Sequence, residues 1–279
     1  MKFVSFTGPD GKASWGYATD NGVVDLGHVA PDLRTALAEN VLPTDEHKTA
    51  PDHTFEQIAF LPVIPNPDKI ICVGLNYRTH ILETGRPLPE KPALFVRFSN
   101  SQTGHLRAVA RPDISERLDF EGELAVVVSK KAHKVAEKDA MDCAAGFSCY
   151  NDGSIRDWQH HTHQFTPGKN FPSTGAFGPW MVPANEFRGL DGGALVTRLN
   201  GQEVQRSKLD DMVFSVPYLI SYCSTFTRLE PGDVIITGTP GGVGAFRKPP
   251  LWMKPGDEVE VEIDGIGILR NHIAQEGQP

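Results

Sequence analysis

The sequence predicts an α+β protein in which strands dominate, with a small β unit at its N-terminus. Three observations carry that prediction. Apolar and β-branched residues come in short runs, the length of strands rather than helices. Turn-forming pairs such as Asn21-Gly22, Asn200-Gly201 and Asp264-Gly265 separate those runs. Stretches with helical spacing are few and short.

In chain order, residues 3–6, 15–18 and 23–26 alternate around the turns Pro9-Asp10-Gly11 and Asp20-Asn21-Gly22, which predicts a short meander. A helix follows over 33–39, with Asp32 as its N-cap. Pro62, Pro65 and Pro67 mark a linker, so the chain divides into an N-terminal domain of 1–65 and a main body of 66–279. The body opens on a buried strand at 69–74. A loop and a short helix over 75–85 come next, ended by Gly85. Pro87, Pro89 and Pro92 make this segment a flap with stiff ends. Further strands are expected at 93–98, 118–128 and 146–150, and a helix over 135–145. The C-terminal part reads as a hairpin at 195–205, a helix over 217–226, a strand at 234–237 and a closing hairpin at 259–271.

A formal net charge of -8 argues against nucleic acid as a partner, because phosphate binding needs a basic surface. No apolar run approaches the length that spans a bilayer, and the first six residues read as a strand rather than a signal peptide. Cys72, Cys143, Cys149 and Cys223 form no CxxC pair and no zinc-ligand spacing. They read as free thiols, and the cytoplasm is the expected compartment.

The chemistry gathers around 118–128. Asp119, Glu121 and Glu123 alternate there, so on one strand they share a face. Buried carboxylates need compensating charge, and a hard divalent cation is the simplest source; a solvated strand end is the alternative. His80 and Glu83 are three apart on a helix, either a water-activating dyad or a surface ion pair. Asp152, just past a buried strand, is a plausible third oxygen ligand. Arg156 and Gln159 share a face that suits a carboxylate substrate. Their alternative is a helix start with Asp152 as N-cap.

Lys169 follows Pro167-Gly168, where glycine lets the backbone approach a ligand; it would neutralise an oxyanion or stand as a solvated loop lysine. His160, His161 and His163 resemble a zinc tract. No second cluster of soft ligands accompanies them, and we read them as a solvated rim. The loop Gly238-Thr239-Pro240-Gly241-Gly242-Val243-Gly244 matches neither a P-loop nor GxGxxG. It reads as a tight pocket wall with the Thr239 hydroxyl as a donor.

Six blocks then resemble, in order, the fumarylacetoacetate hydrolase family over about 66–273. They begin with Lys69 to His80, Asp119 to Val127, and Asn151-Asp152 through Arg156-Asp157-Trp158-Gln159. Lys169, Gly178-Pro179-Trp180 and Gly238 to Gly244 complete them. The resemblance, to the acylpyruvate hydrolase and 2-hydroxyhepta-2,4-diene-1,7-dioate isomerase branch, implies a mixed β-roll or sandwich with peripheral helices, and a homodimer. It implies Mg²⁺ or Mn²⁺ held by Glu121, Glu123 and Asp152, with Asp119 outside the ligand set. His80, Glu83 and Lys169 match catalytic positions; Arg156, Gln159 and Thr239 match substrate contacts. The implied reaction is metal-dependent cleavage of a C–C bond in a 2,4-dioxo acid, in the catabolism of aromatic or sugar-derived acids. An oxaloacetate-type decarboxylase, or a hydratase or isomerase on the same metal-enolate core, is the alternative. Gly153 departs from the bulkier or hydroxyl residue of many relatives. A non-catalytic binding protein would have lost a ligand or Lys169, and neither is missing.

Overall fold

The computed structural model describes residues 1–43 and 50–278. Gly122–Val128 is the buried middle of its largest sheet. Leu124, Val126 and Val128 face one apolar cluster, while Ala125 and Val127 face another. This is the period-2 alternation of a strand covered on both sides. It pairs antiparallel with Ala144–Asp152 on one side and with Val234–Ile236 on the other. Ile70–Gly74 and Ala93–Arg97 continue the sheet beyond Val234–Ile236.

In the other direction Gly175–Pro183 leads to the N-terminal meander of Phe3–Thr7, Ala13–Thr19 and Gly22–Asp25. The first 65 residues and the body therefore share a sheet. They also share a core, since Phe3, Trp15 and Tyr17 pack in one cluster with Ile70, Ala125 and Val234.

A second sheet of Gln202–Lys208, Ala194–Leu199, Glu258–Ile263, Gly267–Gln275 and Val109–Arg111 packs on the body. Its Leu195 and Val261 lie in the same cluster as Leu124 and Val126, the sheet-on-sheet contact of a sandwich. The β-rich α+β class expected from the sequence is the one observed. Local signals hold as well. Asp32 caps Leu33–Glu39 by accepting from the Thr35 N–H at 2.7 Å. Gly85 ends Arg78–Thr84 in the left-handed conformation, φ 69°. Among the described residues no helix is long and apolar enough to cross a membrane.

Two expectations fail. The helix expected over 135–145 is a 3₁₀ helix, Glu137–Cys143. Its buried residues, Ala140 and Cys143, are three apart and stack in a three-residue turn. The segment 118–128 is also not one strand. Leu118–Asp119 pairs with Ser154–Ile155, and pairing resumes only at Gly122. In the gap the Glu121 N–H donates to Asn151 Oδ1 and the Gly122 N–H to Gln205 Oε1, both at 3.0 Å. Side-chain amides replace the ladder there, and the break sends Asp119 away from Glu121 and Glu123.

Candidate metal centre and active site

Glu121 lies in the gap, Glu123 is the second residue of the strand after it, and Asp152 ends the neighbouring strand. The Asp152 N–H donates to the Glu121 carbonyl at 2.8 Å, which fixes the two backbones together. One carboxylate oxygen from each of Glu121, Glu123 and Asp152 lies within 4.8 Å of the others, and all three residues are buried. Among the described residues this is the one such group of His, Cys, Asp or Glu. Asp119 is engaged elsewhere: its carboxylate accepts from Arg156 Nε at 2.7 Å and from the Gly244 and Ala245 N–H groups at 2.8 and 2.9 Å.

Three buried cations surround the carboxylates. Lys169, 1% exposed, donates from Nζ to Glu121 Oε2 at 2.7 Å and to Asp152 Oδ2 at 2.6 Å. Arg156 Nη2 lies 2.7 Å from Glu121 Oε1, and its Nη1 donates to Gln159 Oε1 at 2.8 Å. Arg97 pairs with Asp152 Oδ1 and also donates to Gly153 O and Thr174 Oγ1. Burial alone raises the Glu121 carboxyl, but Lys169 and Arg156 outweigh it and hold the group down at about 2. Among the described residues no cation forms an ion pair with Glu123, and Lys169 acts on it only from a distance. Burial first, then Asp152 and Glu121, push its carboxyl well above the usual range, and it accepts from the Gly238 N–H.

These observations set aside the alternative readings at two positions. Asp152 closes a strand instead of capping a helix, and Lys169 ends the one-turn helix Thr166–Lys169 in the interior instead of sitting in a solvated loop. The glycine before it serves a different approach from the one expected. A Cβ on Gly168 would lie 2.4 Å from the Gln159 nitrogen, so the close passage is between Gly168 and Gln159. Gly153 is confined to glycine for a similar reason, since a Cβ there would lie 2.1 Å from the Thr174 carbonyl oxygen.

The flap helix Arg78–Thr84 supplies the facing wall. His80 is buried, with Nδ1 3.1 Å from Glu83 Oε2. Both Glu83 oxygens accept from the Gly242 N–H at 3.1 Å, and Thr79 Oγ1 accepts from the Gly241 N–H at 3.2 Å. The glycine-rich loop therefore clasps the flap with backbone donors. His80, Glu121, Glu123, Gln159, Lys169 and Thr239 all line one cavity of ≈ 240 Å³. The Thr239 hydroxyl is committed within the protein, donating to Gly122 O at 3.0 Å and accepting from Gln205 Nε2 at 2.9 Å. His160 lines the cavity as well; His161 and His163 are exposed and do not gather with it into a metal group.

The donor set fits a divalent cation. Four buried carboxylates (Asp119, Glu121, Glu123, Asp152) face three buried cations (Arg97, Arg156, Lys169), and the uncompensated charge falls on Glu123. Oxygen-only donors suit hard ions. Sequence reasoning passed over Arg97, Asn151 and Gln205. For Arg97 the signal was a charge inside an otherwise apolar strand; Asn151 and Gln205 carried none, because their role depends on a gap in a distant strand.

Residues 69–274 match the family description "Fumarylacetoacetate (FAA) hydrolase C-terminal". The chain belongs to the fumarylacetoacetate hydrolase family. A Xenopus laevis protein named oxaloacetate tautomerase fahd2, mitochondrial, is 35% identical, with 98% of this chain and 89% of the relative covered. Among solved structures, fumarylacetoacetate hydrolase from Exiguobacterium antarcticum superposes with a TM-score of 0.88 at 31% identity, covering 99% of this chain and all of that one. The 2-hydroxyhepta-2,4-diene-1,7-dioate isomerase of Mycobacterium marinum gives 0.79 at 25% identity, over the whole of both chains. By this membership the chain is an enzyme, in a family whose members include hydrolases, isomerases and oxaloacetate tautomerases.

Proposed function

We propose that this enzyme catalyses keto–enol interconversion of a small 2-oxo acid, oxaloacetate in particular, with Mg²⁺ or Mn²⁺ at Glu121, Glu123 and Asp152. The observation that carries the reading is the buried carboxylate group, whose Glu121 and Glu123 line one small cavity with His80. The Xenopus relative's name, over nearly the full chain, favours tautomerisation above the C–C cleavage expected from the sequence.

A divalent cation, when bound, supplies a Lewis acid that makes the carbon beside a 2-oxo carbonyl more acidic. The chain's own residues do the rest. Glu83 accepts the His80 Nδ1–H, which leaves Nε2 free to carry the proton: it takes it from that carbon and delivers it to the 2-oxo oxygen to form the enol, and runs the other way in ketonisation. Lys169 places positive charge where the substrate oxygen becomes negative. Gln159 holds Arg156 against Glu121, which keeps that carboxylate ionised. The Gly241 and Gly242 N–H groups hold the flap helix, and with it the His80–Glu83 pair, against the glycine-rich loop.

A second reading is hydrolysis of a 2,4-dioxo acid, with His80 activating water in place of abstracting a carbon proton. The name of the Exiguobacterium neighbour supports it. The deciding experiment follows enol loss from oxaloacetate and cleavage of acetylpyruvate in parallel, with Mg²⁺, with Mn²⁺ and with chelator. Accelerated, chelator-sensitive ketonisation with slow cleavage is the expected result; cleavage as the faster reaction overturns the proposal in favour of hydrolysis. A reducing compartment such as the cytoplasm is also proposed, on four buried free thiols; the mitochondrial label belongs to the relative. Exposed Val96 and Phe98, on and just past the edge strand Ala93–Arg97, support a homodimer as part of the same reading.

A further inference from the structure

The cations that the sequence offers to a substrate carboxylate are already occupied. Arg156 reaches Asp119, Gln159 and Glu121 through its three nitrogens, and Lys169 lies between Glu121 and Asp152. His80 is paired with Glu83. Arg86 is different. It lines the same cavity from the exposed rim, two residues beyond the flap helix, and among the described residues no carboxylate pairs with its guanidinium.

Its presentation is restrained. Pro87 confines Arg86 to extended backbone, and its N–H reaches Thr84 Oγ1 at 3.4 Å. His160 lines the cavity too. Burial, then the charges of Arg156 and Arg86, hold its imidazole below the usual range, so near neutral pH it offers a hydrogen bond without a charge. The cavity is therefore polarised, with carboxylates and an ion site on its floor and an unpaired guanidinium on its rim. Its ≈ 240 Å³ falls below the roughly 300 Å³ at which sites for drug-sized ligands begin, so a small acid meets both ends.

We propose that Arg86, assisted by His160, is a distal-carboxylate subsite that makes the enzyme select 2-oxo dicarboxylates over 2-oxo monocarboxylates. The planar guanidinium takes a carboxylate through two parallel N–H···O bonds. The inference rests on the 2-oxo acid reading of the site, and it names Arg86 as the residue that reads the far end of the substrate.

The test compares wild type, Arg86→Gln and Arg86→Lys in the Mn²⁺-loaded protein. Dissociation constants are measured for 2-oxoglutarate and 2-oxobutyrate, which differ in a distal carboxylate, and KM and kcat are measured for oxaloacetate and phenylpyruvate enols. Arg86→Gln is expected to weaken 2-oxoglutarate and raise the oxaloacetate KM about tenfold, the loss of one charge-assisted bond, while 2-oxobutyrate and phenylpyruvate shift by less than about twofold. Arg86→Lys recovers part of the loss. Equal weakening of both acids, no weakening of either, or a wild type that binds the two alike overturns the proposal. If wild type binds 2-oxo acids and turns over neither enol, the tautomerase reading falls, while the ratio of the two dissociation constants still decides the role of Arg86.

Discussion

At the carboxylate end of the cavity each charged group is buried and fixed to a partner from a distant part of the chain. At the flap end His80, Glu83 and Arg86 sit on one seven-residue helix and its exit, held by two loop N–H groups and, at its first turn, by Asp211. Of its apolar side chains Ile81 is buried and Leu82 is exposed to 78%, so the helix rests on the body by one face only. The first arrangement suits a job that must not move, holding an ion with a fixed set of oxygens. The second suits a proton carrier that has to admit and release substrate. Stability should therefore depend on the carboxylate end and turnover on the flap.

Lys169→Met probes that comparison with the largest expected effect. It leaves Glu121 and Asp152 buried beside a missing cation, a loss of about 3–5 kcal/mol in the metal-free protein. Urea unfolding with and without Mn²⁺ measures it, and Mn²⁺ is expected to restore part of the loss. A change under about 1 kcal/mol that ignores Mn²⁺ would mean the pairing contributes far less than its burial implies. Glu83→Gln works at the other end and on the other quantity. It removes the acceptor that fixes the His80 tautomer, so kcat should fall about 100-fold while unfolding shifts by no more than about 1 kcal/mol. A stability loss as large as that of Lys169→Met would erase the distinction between the two ends.

Local rules carried much of the fold. Asp32, Gly85 and the alternation from Leu124 to Val128 each depend on near neighbours, and each reads directly from the sequence. Asp119, Glu121, Glu123 and Asp152 stood out because carboxylates beside buried strands are anomalous wherever they occur, but only the family resemblance set Asp119 apart from the other three. The gap at Phe120-Glu121 did not stand out, since it exists only because Asn151 and Gln205 bring amides from other strands. Lys169 was ambiguous for the same reason: its burial depends on carboxylates 48 and 17 residues away. Arg97 stood out as a charge at the end of the apolar run Ala93–Arg97, but nothing near it in sequence says that it points inward at Asp152.

In the proposed enzyme the carboxylate end holds one divalent ion independently of the flap. Calorimetric titration of Mn²⁺ into metal-stripped wild type, Glu123→Gln and His80→Ala tests it most directly. The expected result is one site per chain in wild type and His80→Ala, with affinity reduced at least about tenfold in Glu123→Gln. Equal Mn²⁺ affinity in Glu123→Gln and wild type would contradict it.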